Sequence, residues 1–189
     1  DQIYDMWIET ELAQGARPGQ FVCVYTKNAA ALLPRPISIC EVNEEKTMLR
    51  LVYRTVGTGT NEFAAYHAGT EISLLGPLGN GFPVEKAAGK RVFLIGGGIG
   101  IPPMLQLSKE IKKAGQAYCE LSVLGYRNEL FLNTDLEKYS QVYVATEDGS
   151  AGTKGTVLDA IKEKGLSGDV IFACGPMPML RAVKEYAAA

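Results

Sequence analysis

The sequence predicts a two-domain β plus α/β chain, with a small antiparallel β-barrel over residues 1–86 and a doubly wound parallel sheet over 87–189. Three observations carry this. Up to about residue 86 the apolar residues fall into short β-branched and aromatic runs separated by turns. From Lys90 onward, continuous apolar runs alternate with stretches of helical period. In that second half, glycine recurs at the carboxyl end of each of four successive strand-like runs.

The first half opens on "DQIYDMWIE", already strand-like, and continues with "GQFVCVYT", "RPISICEV", "TMLRLVYRTV" and "TEISLLG". Several short strands spaced this way suggest a small barrel or sandwich. One helical stretch, "TNEFAAYHAG" (60–69), interrupts them, and "GPLGNGF" (76–82) reads as a glycine-rich turn that ends the barrel. The second half starts with "KRVFLIGGG", a run suited to a strand buried on both faces. "IPPMLQLSKEIKKAG" follows as a helix, its prolines where a first turn tolerates them and Gly115 as its stop. Then come "YCELSVLGYR" (strand), "ELFLNTDLEKY" (helix), "QVYVATEDG" (strand), "GTVLDAIKEKG" (helix), "DVIFACGP" (strand) and "MPMLRAVKEYAAA" (helix). Such alternation builds a parallel sheet whose ligands sit beyond the carboxyl ends of the strands.

The chain has 189 residues, 47% hydrophobic and 21% charged, with a net charge of −2 and no basic run. Nothing in that balance points to nucleic acid or to an anionic membrane surface, and no apolar stretch reaches membrane-spanning length. The four cysteines, Cys23, Cys40, Cys119 and Cys174, are scattered in apolar runs with no CxxC pair. This argues against a metal or cluster site and fits a reducing, cytoplasmic setting. Both ends read as cut, the first inside a strand and the last inside a helix, so a fragment is expected.

Pro34 and Pro36 stiffen the chain around Arg35. A stiff arginine suits bidentate grip of a phosphate or carboxylate, with a strand-opening turn and a solvated side chain as the plainer alternative. "VGTGT" (56–60) precedes the helical stretch, so Gly57, Gly59 and Thr60 offer a loop-to-helix anion site. "GGGIG" leaves a strand and opens a helix, bringing Gly96, Gly97, Gly98 and Gly100 to a place where phosphate can approach backbone donors. It is not the usual dinucleotide fingerprint, since the third glycine of that pattern would be Ile101 and Arg127 ends the next strand in place of an acid. A nucleotide in a variant geometry is expected, against a plain tight turn. "ACGP" leaves room for a flat ring at Gly175 and Pro176, while Cys174 either lines that space or fills it. Asp148 with Gly149 is either ordinary turn chemistry or a ligand contact. His67, the single histidine, is expected on the exposed side of its helix without a role. No hydrolytic triad, carboxylate pair or metal-ligand cluster is present, so no catalytic side chain is assigned.

The ordered set "RPISI", "VYR", "GTGT", "GPLGNGF", "GGGIGIPPM", "TEDGS", "GTKG" and "CGPMPM" resembles the ferredoxin-reductase superfamily. Within it, the set looks most like the electron-transfer subunits of NAD-dependent dihydroorotate dehydrogenase, over essentially the whole chain. The resemblance implies FAD against the barrel, with Arg35, Pro36, Ile37 and Ser38 at its pyrophosphate and flavin edge. Val52, Tyr53 and Arg54 would line the ring, Gly59 and Thr60 would meet the phosphates, and Ser38 would face the flavin N5 region. Where many relatives carry an aromatic residue between the arginine and the serine, this chain has Ile37.

The second domain is implied to bind a nicotinamide nucleotide through the positions Gly96–Gly100 and Cys174–Pro176. Arg127 raises the question of a 2′-phosphate, and the resemblance favours NAD. The family chain continues into a cysteine-rich segment that ligates a [2Fe–2S] cluster; this sequence stops before it, so no cluster is expected here. A flavin converts between the two-electron chemistry of nicotinamide and the one-electron chemistry of such a cluster. The implied partner is an FMN-containing dihydroorotate dehydrogenase catalytic subunit in a heterotetramer, with electrons leaving on NAD+. The rivals are a flavoprotein subunit linking NAD(P)H to ferredoxin and a nucleotide-sensing module without catalysis.

Overall fold

The computed structural model describes residues 2–28, 31–115 and 117–189. It divides the chain into two units, Asp1–Gly81 and Phe82–Ala189. The break falls a little before the 86/87 boundary read from composition. Phe82 meets the ring of Phe172 edge-on, and the 3-10 turn Val84–Ala87 packs on a helix of the second unit.

In the first unit, short runs rich in β-branched, aromatic and other apolar residues form five strands: β1 (Ile3–Glu9), β2 (Phe21–Val24), β3 (Arg35–Val42), β4 (Met48–Arg54) and β5 (Leu74–Leu78). They pair antiparallel in the order β1-β4-β3-β2-β5. Register shifts between Phe21 and Cys23 and between Ile39 and Glu41 supply the bends by which a small sheet curves around one core. That core holds Val22, Val24, Ile37, Ile39, Leu49, Leu51 and Tyr53. Asn43 closes the β3–β4 hairpin, its side-chain oxygen accepting from the N–H groups of Thr47 and Met48, both at 2.8 Å. On the outer face Arg50 bridges three strands, 2.6 Å from Asp5 and 3.1 Å from Glu41.

Two local expectations shift. The fifth strand begins at Leu74 and runs through Pro77, so the chain turns at Gly79–Gly81 and not from Gly76. Pro77 is tolerated because β5 lies at the sheet edge, where a missing donor breaks no ladder. The helix α1 spans Thr58–Ala64, earlier than the 60–69 stretch, which puts Gly59 and Thr60 inside its first turn.

In the second unit the strands are β6 (Arg91–Gly97), β7 (Cys119–Tyr126), β8 (Gln141–Thr146), β9 (Thr153–Lys154) and β10 (Val170–Cys174). All pair parallel, in the order β10-β6-β7-β8-β9. The helices are α2 (Pro102–Ala114), α3 (Asn133–Leu136), α4 (Val157–Glu163) and α5 (Met177–Ala188). Alternate residues of β6 explain the layers. Phe93 and Ile95 join Val157, Ala160, Ile161 and Val183 of α4 and α5. Val92 and Leu94 are buried on the opposite side, where α2 carries the buried Met104, Leu105, Leu107 and Ile111. The chain winds from β6 through β7 to β8, then returns to place β10 on the other side of β6. The strand order therefore reverses between β6 and β10, which is the ligand crevice of such sheets.

Gly115 ends α2 in the left-handed conformation, φ +62°, as expected. The helix expected over 129–139 shrinks to one turn. Tyr126 donates its hydroxyl to the Phe131 carbonyl at 2.8 Å and meets the Phe131 ring edge-on, which holds that segment as a loop. The two-residue β9 had no legible signal.

At the amino end of β7, away from the crevice, Glu120 is bonded by the Ser108 hydroxyl of α2. Burial pushes its carboxyl up from 4.5 to about 7, against the lowering effects of Ser108 and Lys112. The folded chain thus keeps this proton to a higher pH than the unfolded chain, and stability falls as pH rises from 4.5 to about 7. Glu120→Gln, which keeps an acceptor for Ser108, is expected to gain about 2 kcal/mol at pH 8. The gain should vanish below pH 4.5, as read by urea unfolding across that range.

Candidate functional site

In the first unit the site grows from the start of β3. Arg35 lies between two prolines, and its Nη1 donates to the Leu33 carbonyl. Its guanidinium extends over the first turn of α1. A Cβ placed on Gly59 would lie 2.5 Å from Arg35 Nε and 2.9 Å from Cζ, so only glycine leaves the arginine that position. The first turn of a helix also has backbone N–H groups without intrahelical partners. A planar cation and unpartnered donors thus converge, and the space between them exists because one side chain is missing. This arrangement fits a diphosphate.

Packing fixes α1 from below. Phe63, buried in the core, meets Tyr53 edge-on at 6.2 Å, and Tyr53 stacks with Tyr4 at 6.0 Å. Burial pushes the Tyr53 hydroxyl up to about 12, so it stays neutral. Thr60 is buried, and its hydroxyl oxygen accepts from the N–H groups of Val56 (2.9 Å) and Gly57 (3.3 Å) and donates to the Gly57 carbonyl (3.2 Å). That hydroxyl is spent on closing its own turn, and what Thr60 offers a ligand is its backbone.

The remaining first-unit residues separate by strand alternation. Pro36 is exposed and Ser38 half-buried on one face of β3. Ile37 points the other way, into the core at 6% exposure, and Tyr53 does the same on β4 at 4%. Neither of these side chains faces outward as a ring-lining residue would. Val52, buried on the face of β4 opposite Tyr53, pairs with Asp5, and Arg54, half-buried, pairs with Ile3. His67 is exposed, in the turn beyond α1 and not on the helix itself.

In the second unit the glycine turns after β6 and β10 meet at the crevice. A Cβ on Gly100 would lie 2.5 Å from the Cys174 carbonyl carbon and 2.6 Å from Gly175 Cα, and closer still to the Cys174 oxygen. A Cβ on Gly97 or on Gly175 would lie 2.5 Å from the Met179 thioether. These three glycines, with Gly96 against Ile101, are small because their own chain crowds them. Gly98 differs: its φ of +51° requires glycine, and the space beside it is open. It is the place where a ligand can come closest to the backbone. Burial pushes the Cys174 thiol up, which favours the protonated thiol at neutral pH.

The ends of β7 and β8 are stitched together. Glu147 N–H donates to the Tyr126 carbonyl at 3.1 Å and Asp148 N–H to the Arg127 carbonyl at 3.4 Å. Arg127 and Asp148 are both exposed there. The Ser150 N–H and hydroxyl, at 3.0 and 2.7 Å, hold the Asp148 carboxyl below its usual range. Two residues escaped the sequence reading. Met179, one helical turn after Gly175, wedges under both glycine turns. Glu62 ties α1 to the β2–β3 loop, and nothing in the sequence signals it.

A small antiparallel barrel-type unit followed by a parallel sheet with glycine turns at its reversal point defines the two-domain ferredoxin-reductase class. The chain is 42% identical over 188 residues to the electron-transfer subunit of dihydroorotate dehydrogenase B (NAD(+)) from Geobacillus sp. (strain WCH70), covering 97% of this chain and 72% of that protein. It belongs to that family of electron-transfer subunits. The family profile of the oxidoreductase NAD-binding domain matches residues 94–185. Among solved structures, an NADH-dependent reduced ferredoxin-NADP oxidoreductase, described for flavin-based electron bifurcation, superposes with a TM-score of 0.87 at 30% identity, over 100% of this chain and 68% of that one. A flavohemoglobin from Malassezia yamatoensis shares the fold, with a TM-score of 0.80 at 19% identity over 98% of this chain and 52% of that one.

Proposed function

We propose that this chain carries FAD on its antiparallel unit and NAD(H) on its parallel-sheet unit, and passes electrons from dihydroorotate oxidation to NAD+ in pyrimidine biosynthesis. The observation that carries the reading is the Arg35 guanidinium lying over Gly59 at the start of α1. When bound, FAD supplies the conversion between two-electron nicotinamide chemistry and one-electron transfer through an iron–sulfur cluster. Arg35 and the first-turn N–H groups of α1 would hold its diphosphate, with Ser38 on the outward face of β3 toward the ring. The open backbone at Gly98 would receive the pyrophosphate of NAD, and Gly175 and Pro176 would bound its nicotinamide. Hydride transfer between nicotinamide and flavin needs no side chain as acid or base.

Dihydroorotate would be oxidised on an FMN-containing catalytic subunit in the cytoplasm, with a [2Fe–2S] cluster between FMN and FAD. The cluster's ligands would not be the cysteines of this stretch. Those lie on β2, β3, β7 and β10, and among the described residues no three metal-ligating side chains gather. The test is anaerobic addition of NADH to the purified, FAD-loaded protein, with NADPH alongside. Prompt bleaching of the visible flavin band by NADH, at least tenfold faster than by NADPH, is expected. A flavin that NADH leaves oxidised would end the reading. The 0.87 likeness to a ferredoxin-linked enzyme supports a second reading, exchange with ferredoxin. Reduction by ferredoxin, with none by dihydroorotate plus the FMN subunit, would select it.

A further inference from the structure

The acid on α1 is the least expected residue near the proposed anion cradle. Glu62 sits one turn along the helix whose first turn faces Arg35. A negative charge that close to a diphosphate works against binding unless it does something else. Its hydrogen bonds say what. Glu62 Oε1 accepts from the Lys27 N–H at 2.6 Å and from the Tyr66 hydroxyl at 2.5 Å, and the carboxylate also takes the Asn28 backbone N–H. The Lys27 ammonium lies 5.6 Å over the Tyr66 ring, closing the same corner.

Lys27 and Asn28 belong to the β2–β3 loop, which ends at Arg35. Helix α1 therefore grips that loop at two points. At one end Glu62 holds the backbone of Lys27 and Asn28; at the other, the bare Cα of Gly59 seats the Arg35 side chain. The Arg35 backbone is fixed on its own account, paired with Val24 across the β2–β3 ladder. What the Glu62 contacts set is where α1 lies beneath the Arg35 side chain.

We infer that Glu62 is a positioning residue: its carboxylate ties α1 to the chain just beyond β2, at Lys27 and Asn28, and so keeps Gly59 beneath the Arg35 guanidinium and that guanidinium aimed at the bound flavin's diphosphate. This rests on the proposed flavin site. It makes the acid useful despite its sign, because its charge is taken up by three donors and does not face the ligand.

The test is a double-mutant cycle read by FAD dissociation constant on the apoprotein, with melting temperature recorded beside it. Glu62→Ala is expected to weaken FAD about tenfold. Glu62→Gln, which keeps one acceptor but loses the charge, should fall between. In an Arg35→Ala background, Glu62→Ala should change FAD affinity by less than about twofold, since the group it positions is gone. A merely structural role would lower affinity equally in both backgrounds, and that result would overturn the inference. So would wild-type affinity in both Glu62 variants while Arg35→Ala alone sheds flavin. If Glu62→Ala does not fold, Glu62→Gln in the two backgrounds decides in the same way. Full FAD retention by Arg35→Ala itself is a different failure, and it removes the flavin site on which the inference stands.

Discussion

Arg35→Ala is expected to purify folded and nearly colourless. The guanidinium is half-buried at the start of β3 and donates to the neighbouring Leu33 carbonyl, while the core of Ile37, Ile39, Leu51 and Phe63 is built without it. What disappears is the charge-assisted, two-pronged grip on a diphosphate. That is worth about 3 kcal/mol, or roughly a hundredfold in FAD affinity. Calorimetric titration of the apoprotein with FAD gives the number, and far-ultraviolet circular dichroism shows that the fold stays. Arg35→Lys keeps the charge but not the planar fork, and recovers only part of the loss. Unchanged flavin content in the alanine variant would remove the central assignment of the first unit.

The second large effect is expected from one added methyl group. Gly100→Ala places a carbon 2.5 Å from the Cys174 carbonyl carbon and 2.6 Å from Gly175 Cα. Both obstacles are backbone, so no rotamer change relieves them. The turn after β6 and the turn after β10 must move apart, at the point where the strand order reverses. Overpacking of this kind costs about 3 kcal/mol, which lowers the melting temperature by several degrees. NADH affinity falls more than about tenfold because the two turns jointly shape the crevice. The bound flavin's visible spectrum stays as it was, since its proposed holders are on the other unit. A variant with wild-type melting and wild-type NADH titration would show that the two turns are not so closely seated.

Much of the architecture was legible because local pattern and global fold agree. The unbroken apolar run of β6 demanded a strand covered on both faces, and the structure puts α2 on one side with α4 and α5 on the other. Gly115 and the paired prolines of α2 marked both ends of that helix correctly. Where tertiary contacts decide, the sequence was silent. The 129–139 helix was lost to the Tyr126–Phe131 contact, and β9 exists only because glycines let the chain turn back beside β8. Arg35 and Gly59 were singled out separately, but nothing in either motif shows that one sits on the other. For Ile37 and Tyr53 the period-two alternation of "RPISICEV" and "MLRLVYR" already turned both side chains into the core, so what these two positions offer outward is backbone.

The prolines of α2 have a consequence for how the two nucleotides would be kept. Pro102 and Pro103 occupy the first two positions of that helix and carry no backbone N–H. Half of the donors that usually greet a phosphate at such a place are therefore missing, and a Cβ on Gly98 in the turn before them would meet nothing within 4 Å. On the proposed assignment, one dinucleotide is a permanent resident under a fixed cation, and the other is a visitor received by a deliberately loose hand, free to depart once it has been reduced.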